Sequence, residues 1–162
     1  MASGVSVTIL GTAQDGGIPQ AGCSCQRCLD AHRDLKLRKY PVSLGILGVD
    51  GTKHIIEITK NLSEQLVIWT PDKNELFIPE TVSITHLHLG HVEGIGQLGK
   101  PVMGLREVDV YLSPNNKDIF DNRSDIELME DEGNIRTHSK NFYRPFEPKV
   151  GCGFSLQFIA IP

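Results

Sequence analysis

Three of the chain's six histidines, His86, His88 and His91, fall within six residues, directly behind the run Thr81–Thr85. No other stretch constrains the fold as much. The run is β-branched and apolar, which favours a short buried strand. In an extended segment side chains two apart point to the same side, so His86 and His88 leave the strand end together. His91 then opens a segment read as a helix to about Leu98, weakened by Gly94 and Gly96. Imidazoles meeting where a strand turns into a helix suit zinc or iron. A metal held there polarises a substrate oxygen or lowers the pKa of bound water to about 7. The alternative is three solvated loop histidines, yet six histidines scattered over 162 positions would seldom crowd in this way. His32, His54 and His138 stand alone and read as surface or internally paired residues.

The strand before the histidines needs partners, and the sequence offers them. Val5–Leu10, Val42–Val49, His54–Ile58, Val108–Leu112 and Phe154–Ile161 read as strands, with Asp50-Gly51 as a hairpin signal. Helices are expected over Leu29–Lys39, from Asn61 or Ser63 to Trp69, and over Asn115–Phe120. Trp69 is expected in the core, and 122–148 reads as polar and irregular. Strands and helices mixed in this way, with an early hairpin, point to an α/β or α+β layered domain with a mixed sheet. The sequence ends at Ile161-Pro162 directly after a predicted strand, so that strand is an edge or the domain is incomplete.

A second cluster asks for chemistry. Cys23, Cys25 and Cys28 lie within six residues of a chain with four cysteines, spaced as C-x-C-x-x-C. Disulfide frameworks seldom pack cysteines so tightly, whereas thiolate metal sites do. Three thiolates need one more ligand for a closed tetrahedral zinc, and a closed site is structural because it has no open position. Within the chain the candidates for that ligand are His32 and the remote Cys152. The other reading is three reduced thiols packed in a loop.

Composition sets the outer limits. With 20 acidic against 16 basic residues the net charge is −4, which disfavours a nucleic-acid or anionic-membrane binder. No apolar run approaches the roughly 20 residues a membrane helix needs. The N-terminus carries no positive charge before its short apolar stretch and reads as a strand, not a signal peptide. The expected compartment is the cytoplasm, where thiols stay reduced. There is no G-x-S-x-G elbow, and Gly11, Gly16 and Gly17 fit neither nucleotide-loop pattern.

Residue by residue, Thr85-His86-Leu87-His88-Leu89-Gly90-His91-Val92-Glu93-Gly94 resembles the His-x-His-x-Asp-His-x-x-Gly signature of the metallo-β-lactamase superfamily. Gly90 stands where the signature has Asp, which in the superfamily ligates a second metal and orients a bridging hydroxide. Four further stretches, Leu10–Gln20, Cys23–Cys28, Tyr40–Gly45 and Gln97–Gly104, make the sequence similar to the pyrroloquinoline quinone (PQQ) biosynthesis protein B group. The similarity runs from residue 5 to about 112 and is thin beyond 113. Members of that group are close to twice as long. The resemblance therefore implies one domain, 1–162, forming the N-terminal half of an αβ/βα sandwich with the metal at a sheet edge.

The resemblance also implies a function. His86, His88 and His91 would hold a catalytic zinc or iron, mononuclear because the acid is missing at position 90. Cys23, Cys25 and Cys28 would hold a structural zinc, as a similar cluster does in related phosphodiesterases. Asp15 and Gly16, in the loop that faces the site in the family, would contact substrate. Glu57, ending the third strand, would orient a ligating histidine or else stand exposed. The implied enzyme is metal-dependent and acts on a small molecule or modified peptide by oxidation or hydrolysis, when full length. Two alternatives stand beside it. One is a phosphodiesterase-type hydrolase, against which the missing acid argues. The other is a non-catalytic, truncated metal-binding fragment, whose free sheet edge would pair with a second copy.

Overall fold

The computed structural model describes residues 4–71 and 76–161. The first three residues of the N-terminal run, and Pro162 at the chain's end, lie outside the described residues. Six strands form one sheet in the order β1-β2-β3-β4-β5-β6. They are β1 (Ser6–Gly11), β2 (Ser43–Leu47), β3 (Lys53–Ile56), β4 (Thr81–Ser83), β5 (Val108–Leu112) and β6 (Ile135–Ser139). The helices are α1 (Gln26–Arg33), α2 (Leu62–Trp69), α3 (Leu89–Val92), α4 (Pro114–Asp121) and α5 (Ser124–Asp131), with 3-10 turns at Leu35–Leu37 and Glu93–Leu98. The mixed α+β architecture expected from the sequence is the one found.

β1, β2 and β3 pair antiparallel, and β3 to β6 pair parallel. Parallel neighbours need crossovers, and helices supply each of them. Because the chain reverses twice between β1 and β3, those two strands run the same way. The C-terminal ends of β1, β3, β4 and β5 therefore open at one edge of the sheet.

Alternation within each strand sorts the side chains into two faces. One carries Leu10, Ile55, Val82 and Val110. Against it pack Leu62, Leu66 and Trp69 of α2, Ile95 and Leu98 of the second 3-10 turn, Phe120 of α4, and Ile126 and Met129 of α5. Full burial of such a side chain contributes roughly 1.5–3 kcal/mol. Trp69 is in the core, as expected. The second face is mixed: Ile46, His54, Ser83, Asp109 and Tyr111. Residues 142–161 cross this face. The Phe146 ring lies 5.0 Å from that of Tyr111, Tyr111 Oη donates to Pro148 O at 2.6 Å, and Phe154 meets His54 edge-on at 5.9 Å. His54 Nδ1 bonds Thr81 Oγ1, and burial pushes its pKa down to about 3, so it is a neutral structural histidine.

The same face holds a charge cluster. Asp109 accepts from Lys149 Nζ at 2.7 Å, His138 Nε2 at 2.8 Å and Arg136 Nε at 3.2 Å. Burial raises its pKa, but the hydrogen bonds from Lys149 and His138 and the nearby charges outweigh that and hold it below the usual carboxylate value. A depressed folded pKa stabilises the fold above the unfolded value, about 3.9. That contribution is lost as pH falls through the folded value. Asp109→Asn should cost roughly 2 kcal/mol at pH 7, short of a fully buried pair because its partners stay partly in water. It should also flatten the stability profile below about pH 4. Urea melts across pH 3–7 measure both, and parallel wild-type and variant profiles would contradict the assignment.

Several expected boundaries shift, each for a local reason. The helix expected at Leu29–Lys39 begins at Gln26, capped by extended Cys25, and its buried residues are Cys28 and Ala31. It ends at Arg33, and Asp34 Oδ1 accepts from Lys36 N–H (2.9 Å) to start the 3-10 turn. Asp50-Gly51 does turn the chain, but residues 48–52 form a longer connection, tied by Asp50 to Thr52 N–H and hydroxyl at 2.9 and 2.7 Å. The helix expected from His91 to Leu98 is instead α3, beginning at Leu89, followed by a 3-10 turn.

Two expectations are overturned outright. The stretch 122–148 is not irregular: it contains α5 and β6. Ile126 and Met129, three apart, seat α5, while β6 is an edge strand whose only fully buried residue is Ile135, so its apolar signal is faint. Phe154–Ile161 is not a strand. Its single bridge joins Leu156 to Phe146, and Phe158 stacks on Phe146 at 5.9 Å, so the segment packs by side chains across the second face.

Candidate metal centre

The shared sheet edge gathers the candidate residues. Glu57 follows β3, His86 and His88 follow β4, His91 lies in α3, and Asp15 sits in the loop after β1. The His86 ring centroid is 4.0 Å from that of His91 and 4.6 Å from that of His88. His91 Nδ1 lies 3.4 Å from Glu57 Oε2, and His91 Nε2 lies 3.3 Å from Asp15 Oδ1. His88 Nδ1 is 3.9 Å from Asp15 Oδ2. Donor atoms of Glu57, His86 and His91 all lie within 4.8 Å of one another, a span that one ion bridges. His88 is outside that tight set and its side chain is 76% exposed.

Glu57 is buried, so its exposed reading is excluded. Its backbone is left-handed at φ 63°, a conformation that strains a non-glycine residue and persists where surrounding contacts enforce it. Those contacts are Ser43 Oγ donating to Glu57 O (2.9 Å), Glu57 N–H donating to Ser83 O (2.9 Å), and Thr85 N–H donating to the carboxylate (3.2 Å). Burial pushes the Glu57 pKa up to about 7, and the Thr85 hydrogen bonds offset only part of this. His86 is held below the ordinary imidazole range by burial first and by His91 and His88 next, with Asp15 opposing. His91 Nδ1 is buried without a hydrogen-bond partner.

This donor set fits a divalent cation. Neutral imidazoles are the ligating form. A cation would favour the ionised Glu57 that burial alone disfavours. The Gly16 carbonyl accepts from Lys60 Nζ at 3.1 Å, and Gly16 lines a cleft with His32, Arg38 and Lys39. The resemblance placed the Asp15 loop at the site, and the structure adds the direct approach of Asp15 to His91 and His88, which follows from the sheet's strand directions.

The second cluster is also drawn together. Cys23, Cys25 and Cys28 Sγ atoms lie within 4.8 Å of one another, and no fourth ligand joins them among the described residues. Cys25 precedes α1, and its thiol is lowered by the Cys28 N–H and the neighbouring thiols. Gln20 N–H donates to Cys28 Sγ at 3.5 Å, but burial and the other two cysteines leave that thiol raised. His32 is exposed in the basic cleft, and Cys152 is buried elsewhere, its Sγ 3.3 Å from Phe154 O.

Comparison with solved structures settles the architecture. The Zn(2+)-bound PqqB of Methylobacterium extorquens matches 90% of this chain at TM-score 0.73 and 19% identity. A diphosphatase from the PhnP family matches 88% at 0.63 and 21%, and the metallo-β-lactamase fold protein YhfI of Bacillus subtilis 89% at 0.52 and 17%. The chain has the metallo-β-lactamase fold. It spans about half of each of these proteins, 49%, 52% and 49% of their lengths. Identities this low establish the metallo-β-lactamase fold and nothing finer. No family model matches the sequence. A curated octanoyltransferase of Porphyromonas gingivalis (strain ATCC BAA-308 / W83) is 28% identical over 115 residues, 71% of this chain but 22% of that protein. The metallo-β-lactamase fold expected from the histidine motif is thus the fold found, with that motif at its shared strand edge. No helix among the described residues is long and apolar enough to cross a membrane.

Proposed function

We propose that this chain is the metal-binding half of an enzyme that acts on a small molecule or modified peptide by metal-dependent oxidation or hydrolysis. The convergence of Glu57, His86 and His91 at the sheet edge carries this reading, because their donor atoms lie within 4.8 Å of one another and a buried carboxylate beside two imidazoles calls for a cation. The bound metal would act as a Lewis acid on a substrate or water oxygen. His86 and His91 would hold it, and Glu57 would fix the tautomer of His91 by accepting from Nδ1–H, which turns Nε2 outward. Thr85, through its N–H and the Oγ1 contact with His86 Nδ1 (2.9 Å), would orient both groups. Substrate would enter the cleft of Thr85, His86, Asn116, Phe142 and Ile159, about 360 Å³ in volume, which opens on His86. Cys23, Cys25 and Cys28 would clamp a structural zinc at the start of α1.

Phosphodiester hydrolysis is the second reading, favoured by the His32, Arg38, Lys39 and Lys60 cleft behind the Asp15 loop, whose charge suits a phosphate. The test is metal removal and return on the intact protein. Chelation should abolish turnover and speed hydrogen exchange in residues 16–33, where the cysteine site couples metal to local folding. Zinc-restored cleavage of an activated phosphodiester selects hydrolysis. Iron-restored dioxygen uptake with a modified peptide selects oxidation. Turnover that survives complete chelation would refute both.

A further inference from the structure

Gly90 lies between His88 and His91 in sequence and is buried. A side chain there would have nowhere to go. A Cβ built on it would collide with Asp15 Cα and Cβ and lie 2.7 Å from Asp15 Cγ, closer than real Cβ contacts allow. The space a side chain at 90 would fill is occupied by the side chain of Asp15.

That placement aims the carboxylate. Its two oxygens face His91 Nε2 at 3.3 Å and His88 Nδ1 at 3.9 Å, and its charge is felt at His86. The hydrogen bonds of the described residues give it no other partner. Backbone contacts hold the loop in place: Thr12 and Ala13 N–H groups both donate to Tyr40 O (3.1 and 2.9 Å). Gly17 N–H closes the Gln14–Gly17 turn on Gln14 O at 2.7 Å, and Lys60 Nζ ties down Gly16 O. Asp15 is thus presented at the tip of an anchored turn, with its carboxylate half-exposed toward the open side of the imidazole group.

We infer that Asp15 is a ligand of the metal held by His86 and His91, supplied through space by the β1 loop to the place that a side chain at position 90 would take. It is therefore a metal ligand, where the sequence alone suggested only a substrate contact. The inference rests on the metal reading of the histidines, and its test separates the two.

Zinc affinity is measured on the full chain by competition with a chromophoric chelator. Cobalt(II) spectra of the same variants distinguish the imidazole–carboxylate ion, through its d–d bands, from the cysteine-bound ion, through thiolate charge transfer. Asp15→Asn should weaken the histidine-site ion at least about ten-fold, no less than the loss of an outer partner costs. The exchange Asp15→Gly with Gly90→Asp should regain most of that loss, because it returns a carboxylate to the same space from the other backbone. If Asp15→Asn disturbs the loop, the exchange still decides, since it restores binding only when the carboxylate is what the ion needs. Wild-type affinity in Asp15→Asn, with loss in His86→Ala, would overturn the role of Asp15 and leave the histidine site standing. A folded double variant that recovers no affinity would overturn the shared position. Wild-type affinity in His86→Ala would overturn the metal reading itself.

Discussion

His86→Ala should remove one of two bound metal equivalents and leave the other in place. The His86 ring is the member of the group that neighbours both others, at 4.0 Å from His91 and 4.6 Å from His88. Without it, Glu57, His91 and the solvent-facing His88 no longer surround one point. His91→Ala should behave alike and also leave the buried Glu57 carboxylate without its imidazole neighbour. His138→Ala is the control: that imidazole is engaged by Asp109 and stacked on Tyr111 at 5.3 Å, so it should keep both equivalents. Metal analysis after gel filtration reads all three. Unchanged stoichiometry in His86→Ala would end the assignment.

Gly94→Ala should damage stability and site together. Gly94 N–H donates to Ile58 O (3.0 Å), and Ile58 N–H donates to His91 O (2.9 Å), so the α3 turn is stitched to the chain just after Glu57. A Cβ at 94 would lie 2.7 Å from the Thr59 carbonyl carbon and 3.0 Å from Ile58 O, both backbone atoms that cannot rotate aside. Overpacking of this kind costs roughly 3 kcal/mol. In a domain of this size that lowers Tm by about 6–12 °C. Relief of the clash moves α3 away from β3, taking His91 from Glu57, so zinc affinity should fall as well. Gly96→Ala is the contrast: a Cβ there meets nothing within 4 Å, and Tm should hold or rise slightly. A Gly94→Ala melt within 2 °C of wild type would show that the seam yields more easily than its backbone contacts imply.

These two glycines show where sequence reading stops. Their residue type marks both equally as helix-weakening, and only the docking of α3 on the β3 exit tells them apart. β5 was legible to the residue, because Val108–Leu112 is buried at every position and its composition says so. β6 was not, because an edge strand with one buried residue leaves little apolar trace. The histidine group was legible because its members are close in sequence. Glu57 was half-legible: a strand-end acid can point either way until the left-handed backbone at 57 turns it inward. Phe154–Ile161 misled because its apolar residues serve ring packing on the second face, which resembles strand composition without strand pairing.

The parallel arrangement of β3 to β5, together with the direction of β1, divides labour within the molecule. Every proposed ligand is borne on a connection beyond a strand terminus or in the short helix that follows one, while the frame is set by Leu10, Ile55, Val82 and Val110 beneath. Trimming a methylene from the frame should lower the melting temperature yet leave ion affinity nearly intact, and rebuilding the connections should do the reverse. Selection, or an engineer, can therefore retune the proposed ion site of this fold by exchanging loops, with the Gly94 seam as the place where the two kinds of change collide.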